Sequence, residues 1–144
     1  MASHVLVPID DSDRSTEALE FALEEYPSAR FTALHVVDPS EIYAVTGLET
    51  GSLSNYERIR DEHKTRAENL LETARRRAAD AGVELETEHA IGDISETIVD
   101  YVEDHGVDHI VLGSHGRTGA SRILLGSIAE SVARRSPVPV TIVR

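Results

Sequence analysis

The chain has 144 residues, no cysteine, and 26 acidic against 14 basic residues for a formal net charge of −12. That length suits one domain, residues 1–144, with a real core, and no apolar run is long enough to span a bilayer. The missing cysteine excludes disulfides, thiol catalysis and cysteine metal sites, and so acidic a surface argues against nucleic acid, whose binding rests on cationic contacts to phosphate.

His4 to Ile9, HVLVPI, is nearly all apolar and reads as a strand buried on both faces. The run Asp10-Asp11-Ser12-Asp13 offers several helix N-caps. It comes too soon after a short apolar run, with no basic segment ahead of it, for a signal peptide, and a cytoplasmic protein is expected. Ala18, Leu19, Ala22, Leu23 and Tyr26 then form one apolar stripe that Pro27 ends. Phe31 to Val37 is a second apolar strand. Asp38 to Asn55 lacks periodicity and is punctuated by Pro39, Gly47 and Gly51, a length of loop that compact domains keep mainly for function. The spacing predicts a long helix from about Tyr56 to Ala81, stopped by Gly82. Val83 to Ile91 alternates in part, as suits a strand near a sheet edge. Asp93 with Glu96 resembles a capping box for a helix through Ile94, Ile98, Tyr101 and Val102, closed by Gly106. His109 to Leu112 is a fourth strand.

The next stretch, Gly113 to Ser127, reads GSHGRTGASRILLGS and leads into Ile123, Leu124, Ile128 and Val132 at helical spacing. A strand, a glycine-rich loop and a helix start follow one another. Glycine has no Cβ to keep a ligand from bare backbone N–H groups, and a helix N-terminus adds unpaired N–H groups and about half a positive charge. Together they suit a phosphate; a tight turn would explain one or two glycines, but Gly113, Gly116, Gly119 and Gly126 fall in one unit. Val138 to Val143 closes the chain as a fifth strand. Pro139 inside it cannot donate to a ladder, which predicts an edge strand and, to cover an apolar edge, a two-fold dimer through it.

Alternating apolar strands and helices point to an α/β fold: a doubly wound, Rossmann-like parallel sheet of five strands in the order 3-2-1-4-5, with helices on both faces. Its switch point lies between the first and fourth strands, where open α/β sheets bind ligands. That brings Pro8, Ile9 and Asp10 beside Gly113, Ser114 and Gly116. Asp10 can accept from a ribose hydroxyl or cap the first helix; Arg117 and Arg122 flank the loop and can supply charge to phosphates or stand as ordinary surface arginines. His35 and His109, in strands, read as core or sheet-edge residues.

Along its whole length the chain resembles the universal stress protein family. HVLVPIDDSDRSTEAL, the HVVDP segment at His35 to Pro39, GSHGRTG and the closing SPVPVTIVR carry the resemblance. Its most specific part, Gly113-x2-Gly116-x9-Gly126-Ser127, is similar to the pattern of the family's ATP-binding branch. The resemblance implies an adenine nucleotide alpha hydrolase-like fold and a cytoplasmic, ATP-binding stress-response module without dedicated catalysis. Pro8 and Asp10 would approach ribose and adenine, and Val36 would read the adenine edge. Gly113 would lie beside the ribose, with Gly116, Gly126, Ser127 and Ile128 holding phosphates, largely through main-chain N–H groups. ADP or AMP would take the same place, Mg2+ would arrive with the nucleotide, and the family implies a homodimer through the last strand.

Other classes fit less well. A receiver domain needs an aspartate after its third strand and a lysine after its fifth; here the third ends His89-Ala90-Ile91-Gly92, and the sole lysine is Lys64. No Gly-Lys exists for a P-loop, and His-x-Gly-His of nucleotidyl transferases is missing, leaving only slow hydrolysis or nucleotide transfer as an enzymatic alternative. Scarce lysine beside abundant Asp and Glu also fits a halophilic cell, whose salty cytoplasm would screen the self-repulsion.

Overall fold

The computed structural model describes residues 2–41, 53–114 and 125–144. Among these run β1 (His4–Pro8), α1 (Asp13–Glu25), β2 (Arg30–Val37), α2 (Leu53–Asp80), β3 (Leu85–Ile91), α3 (Ile94–His105), β4 (His109–Gly113), α4 (Ser127–Arg135) and β5 (Val140–Val143); residues 39–41, expected in a loop, are helical too. All strand pairs are parallel, in the order β3-β2-β1-β4-β5. The expected order therefore holds. Beyond β1 the chain steps outward to β2 and β3, then crosses back to β4 and β5. Right-handed crossovers in opposite directions put the two pairs of helices on opposite faces.

The strands' two-residue period shows in what each face buries. Val5, Val7, Phe31, Ala33 and Val111 pack against Leu19 and Ala22 of α1 and Ala74 and Ala78 of α2. Leu6, Leu34, Val36, Ile110 and Leu112 pack against Ile98 and Val102 of α3 and Ala129 and Val132 of α4. Because β1 is covered on both sides, Val5, Leu6 and Val7 are wholly buried, each worth about 1.5–3 kcal/mol of transfer free energy.

Element ends follow local chemistry. Ser12, not Asp10, is the N-cap of α1: its side chain accepts from the Ser15 N–H at 3.3 Å. The α2 helix starts at Leu53, so residues 53–55 belong to it rather than to the preceding loop. It ends in a Schellman turn, with Gly82 at φ 78°, the Val83 N–H on the Ala78 carbonyl (2.8 Å) and the Gly82 N–H on that of Ala79 (2.9 Å). Val83 is thus spent on closing the helix, and β3 begins two residues later than alternation suggested. The Asp93 side chain caps α3 through the Glu96 N–H at 2.9 Å, and Gly106 closes it at φ 66°. At the last strand the expectation needs correction. Pro139 lies just before β5, not inside it: it offers the ladder only its carbonyl, which accepts from the Ile110 N–H at 3.0 Å. β5 is still an edge strand.

Candidate functional site

Parallel strands send all their carboxyl ends to one side, and the order of this sheet parts the chain there between β1 and β4. Pro8 is the last residue of β1, with Ile9 and Asp10 in the turn beyond it; Val36 is the next-to-last residue of β2. Gly113 ends β4 and Ser114 follows; Gly126 caps α4, with Ser127 and Ile128 in its first turn. These nine expected site residues gather at one end of the sheet. Gly116 and Arg117, with Arg122, Ile123 and Leu124, lie outside the described residues.

Ser114 joins three elements. Its N–H donates to the Val143 carbonyl at 2.9 Å and its carbonyl accepts from the Gly126 N–H at 2.7 Å, so α4 starts directly above the ends of β4 and β5. Gly126 has φ −64° and ψ 153° and no side chain caps the helix. Glu130 is the first residue whose N–H finds a carbonyl within the helix, that of Gly126 at 2.9 Å. The first-turn N–H groups of Ser127, Ile128 and Ala129 have no intrahelical acceptor, and the helix dipole makes that end favourable for an anion. A φ of −64° is open to any residue, so Gly126 is not needed for its own dihedrals. Gly113 is a different case. A Cβ there would lie 2.8 Å from the carbonyl carbon of Arg14 and 2.8 Å from its Cβ; the first turn of α1 rests on this glycine. Its role includes packing, which the sequence pattern did not separate from ligand approach.

Asp10 is held from several sides. Its Oδ1 accepts from the Ser12 N–H at 2.8 Å and from the Ser12 hydroxyl. Its N–H donates to Ser15 Oγ at 3.2 Å, and the Ser15 hydroxyl lies 2.9 Å from the Asp10 carbonyl. Oδ2 has no partner among the described residues, which leaves an acceptor at the crevice. One residue earlier, His35 Nδ1 meets the Ile9 carbonyl at 2.6 Å. Ser12, Ser15 and His35 were not expected at the site. Asp10-x-Ser12 is the spacing of an Asx turn and so was readable; the His35 contact spans 26 residues, and no local signal announces it. Asp10 and Ile9 also stand at one end of a cleft of about 460 Å3 between α1 and α2, which none of Gly113, Ser114 and Gly126 lines. Among the described residues no group of three His, Asp or Glu could hold a metal ion, and no helix is long and apolar enough to cross a membrane.

Known proteins resemble the chain in sequence and in fold. The sequence model described as the Universal stress protein family matches residues 1–144. The universal stress protein YxiE of Bacillus subtilis is 35% identical over 148 residues that cover 100% of both chains. A solved structure of the protein MJ0577, a universal stress protein of Methanocaldococcus jannaschii, superposes with a TM-score of 0.81 at 31% identity, covering 98% of this chain and 94% of that one. A universal stress protein solved in complex with cAMP superposes with a TM-score of 0.72 at 25% identity, covering 99% of this chain and 97% of that one.

Proposed function

The chain belongs to the universal stress protein family, and on that premise we propose that it binds an adenine nucleotide, ATP foremost, in the crevice between β1 and β4, as a nucleotide-dependent regulatory module. The observation that carries this reading is the uncapped start of α4, tied through Ser114 to the end of β4 and facing the same end of the sheet as Asp10. The complex of a relative with cAMP supports adenine as the base.

The donor set fits the parts of such a ligand. The N–H groups of Ser127 and Ile128, with the Ser127 hydroxyl, suit phosphate oxygens, and Gly116 and Arg117 from the intervening segment would complete that cradle. Asp10 offers a carboxylate oxygen to the ribose hydroxyls, the backbone of Val36 offers an edge to adenine, and Pro8, Ile9 and Gly113 supply apolar walls. A Mg2+ ion would enter on the phosphates, where Ser127 Oγ can reach it. No general base is assigned, and the role is binding rather than turnover, in the cytoplasm.

Freshly purified protein, denatured and examined by mass spectrometry, should release ATP or ADP, and titration with ATP and Mg2+ should saturate one site per chain. Gly126→Val should abolish binding while the protein stays folded, since its backbone angles admit valine. Unchanged affinity in that variant, or rapid multiple turnover by the wild type, would overturn the reading. We also propose a homodimer that covers the free edge of β5, so light scattering should give twice the chain mass; a monomer at micromolar concentration would sink this.

A further inference from the structure

We propose that His35 is a positioning residue for nucleotide binding: its ring sets the orientation of Asp10 and thereby the protein's preference for a ligand with ribose hydroxyls. The inference rests on the nucleotide reading of the crevice. Its basis is one peptide unit. The bond between Ile9 and Asp10 has its carbonyl facing His35 Nδ1 at 2.6 Å and its N–H facing Ser15 Oγ at 3.2 Å. A carbonyl oxygen only accepts, so Nδ1 carries the proton and donates. The same plane is thus gripped on both sides, from β2 and from α1. The preceding peptide plane is held as well, its Ile9 N–H donating to the Leu34 carbonyl at 2.8 Å.

Rotation of that plane would change ψ of Ile9 and φ of Asp10, and so swing the Asp10 carboxylate. With the plane fixed, Asp10 Oδ1 is engaged by Ser12 and the second oxygen keeps one direction. An acceptor held in place ahead of binding spares the ligand the cost of ordering it. The turn itself could persist on the Ser12 and Ser15 contacts alone. Removing the imidazole therefore loosens the direction of the carboxylate more than it unfolds the turn.

The test compares affinities for ATP and 2′,3′-dideoxy-ATP by calorimetry in wild type, Asp10→Ala, His35→Leu, His35→Asn and His35→Gln. Wild type should prefer ATP by about tenfold or more, the worth of hydrogen bonds to a charged acceptor, and Asp10→Ala should show almost no preference. His35→Leu should lose most of the preference while retaining affinity for the dideoxy compound. Asparagine places an N–H close to the position of Nδ1 and glutamine places one near Nε2, so His35→Asn should recover the preference and His35→Gln should not. A purely structural role would lower the melting temperature and weaken both ligands equally. Equal loss for both nucleotides, or the same preference in the Asn and Gln variants, overturns the proposal, and those two variants decide it if His35→Leu does not fold. Lack of preference in wild type overturns it while nucleotide binding stands; failure of wild type to bind either nucleotide instead removes the reading beneath it.

Discussion

The two ends of the sheet use similar side chains to opposite effect. At the amino end polar groups answer one another. His4 is buried with Nε2 2.8 Å from Thr32 Oγ1, and His109 Nε2 lies 2.8 Å from Thr141 Oγ1 and 3.2 Å from the Tyr26 hydroxyl. The Asp108 carboxylate takes the N–H groups of Ser3 (2.9 Å) and His4 (3.2 Å), and Arg30 grips Glu86 with two bonds of 2.8 and 2.9 Å. At the carboxyl end the hydrogen-bond capacity is left open, at the uncapped start of α4 and at one oxygen of Asp10. Satisfied buried groups stabilise a fold, and unsatisfied ones cost it free energy unless a ligand or water answers them. Substitutions of the buried amino-end groups, His4 foremost, should therefore move stability and leave nucleotide affinity alone, and those of the open carboxyl-end groups, the Asp10 carboxylate and the start of α4, should do the reverse.

Gly113 should break that division most strongly, because it belongs to the crevice and to the packing of α1 at once. In Gly113→Val the new Cβ meets backbone atoms of Arg14 at 2.8 and 2.9 Å. Backbone there cannot swing aside as a side chain can. Overpacking of this kind costs about 1–3 kcal/mol, and displacement of α1 also moves the Ser12 and Ser15 grip on Asp10. A lower urea midpoint together with weakened ATP binding is expected. An unchanged midpoint would show that α1 yields without cost.

Acid should act on the amino end instead. Burial lowers the pKa of His4, with the nearby Arg30 charge adding to it, and burial lowers that of His109. Both rings are then neutral in the fold at pH values where the unfolded chain, near 6.5, begins to take up protons. Their contribution is complete above about pH 6.5 and is lost as the pH falls toward the folded values. Asp108 is also low: burial opposes this, but the donors from Ser3 and His4 outweigh it. It adds a loss in the same direction in more acid solution. Urea midpoints should drop between pH 8 and pH 5.5, and less so in His4→Gln; equal midpoints at the two pH values would count against this. Salt offers a milder probe. With a net charge of −12, the melting temperature should rise between dilute and molar KCl as repulsion is screened, and a flat response would sink the proposal of a salt-adapted chain.

Much of the fold was legible because its signals are local and redundant. The apolar runs at Val5 to Val7 and Ile110 to Leu112, the stop at Gly82 and the cap at Asp93 each depend on a few neighbouring residues, and strand order followed from alternation and crossover handedness. Boundaries slipped where tertiary or turn bonding decided them, as at Val83, committed to the α2 closing turn, and Pro139, whose carbonyl alone joins the ladder. The gathering of Pro8, Asp10, Val36, Gly113 and Ser127 at one end of the sheet was legible, since topology and glycines indicated the same end. Its internal support was not. The grip of His35 on Ile9 joins two strands, and the need for glycine at position 113 comes from the backbone of Arg14, about a hundred residues earlier in the chain. Such pairings carry no spacing rule.

The smallest expected effects divide the carboxyl end itself. Two helices there begin on side-chain caps, α1 on Ser12 and α3 on Asp93. Removing either cap with alanine should cost about 1 kcal/mol, so Ser12→Ala and Asp93→Ala should lower stability to a similar extent. They part on binding. Ser12 also donates its N–H and hydroxyl to Asp10 Oδ1; the alanine variant keeps the first bond and loses the second, which frees the carboxylate to turn. Asp93 caps α3 through the Glu96 N–H and has no contact with Asp10. ATP affinity should fall a few-fold in Ser12→Ala and stay at the wild-type value in Asp93→Ala. If the two variants bind equally well, the hydroxyl of Ser12 serves the helix alone, and the order of Asp10 rests on its backbone contacts.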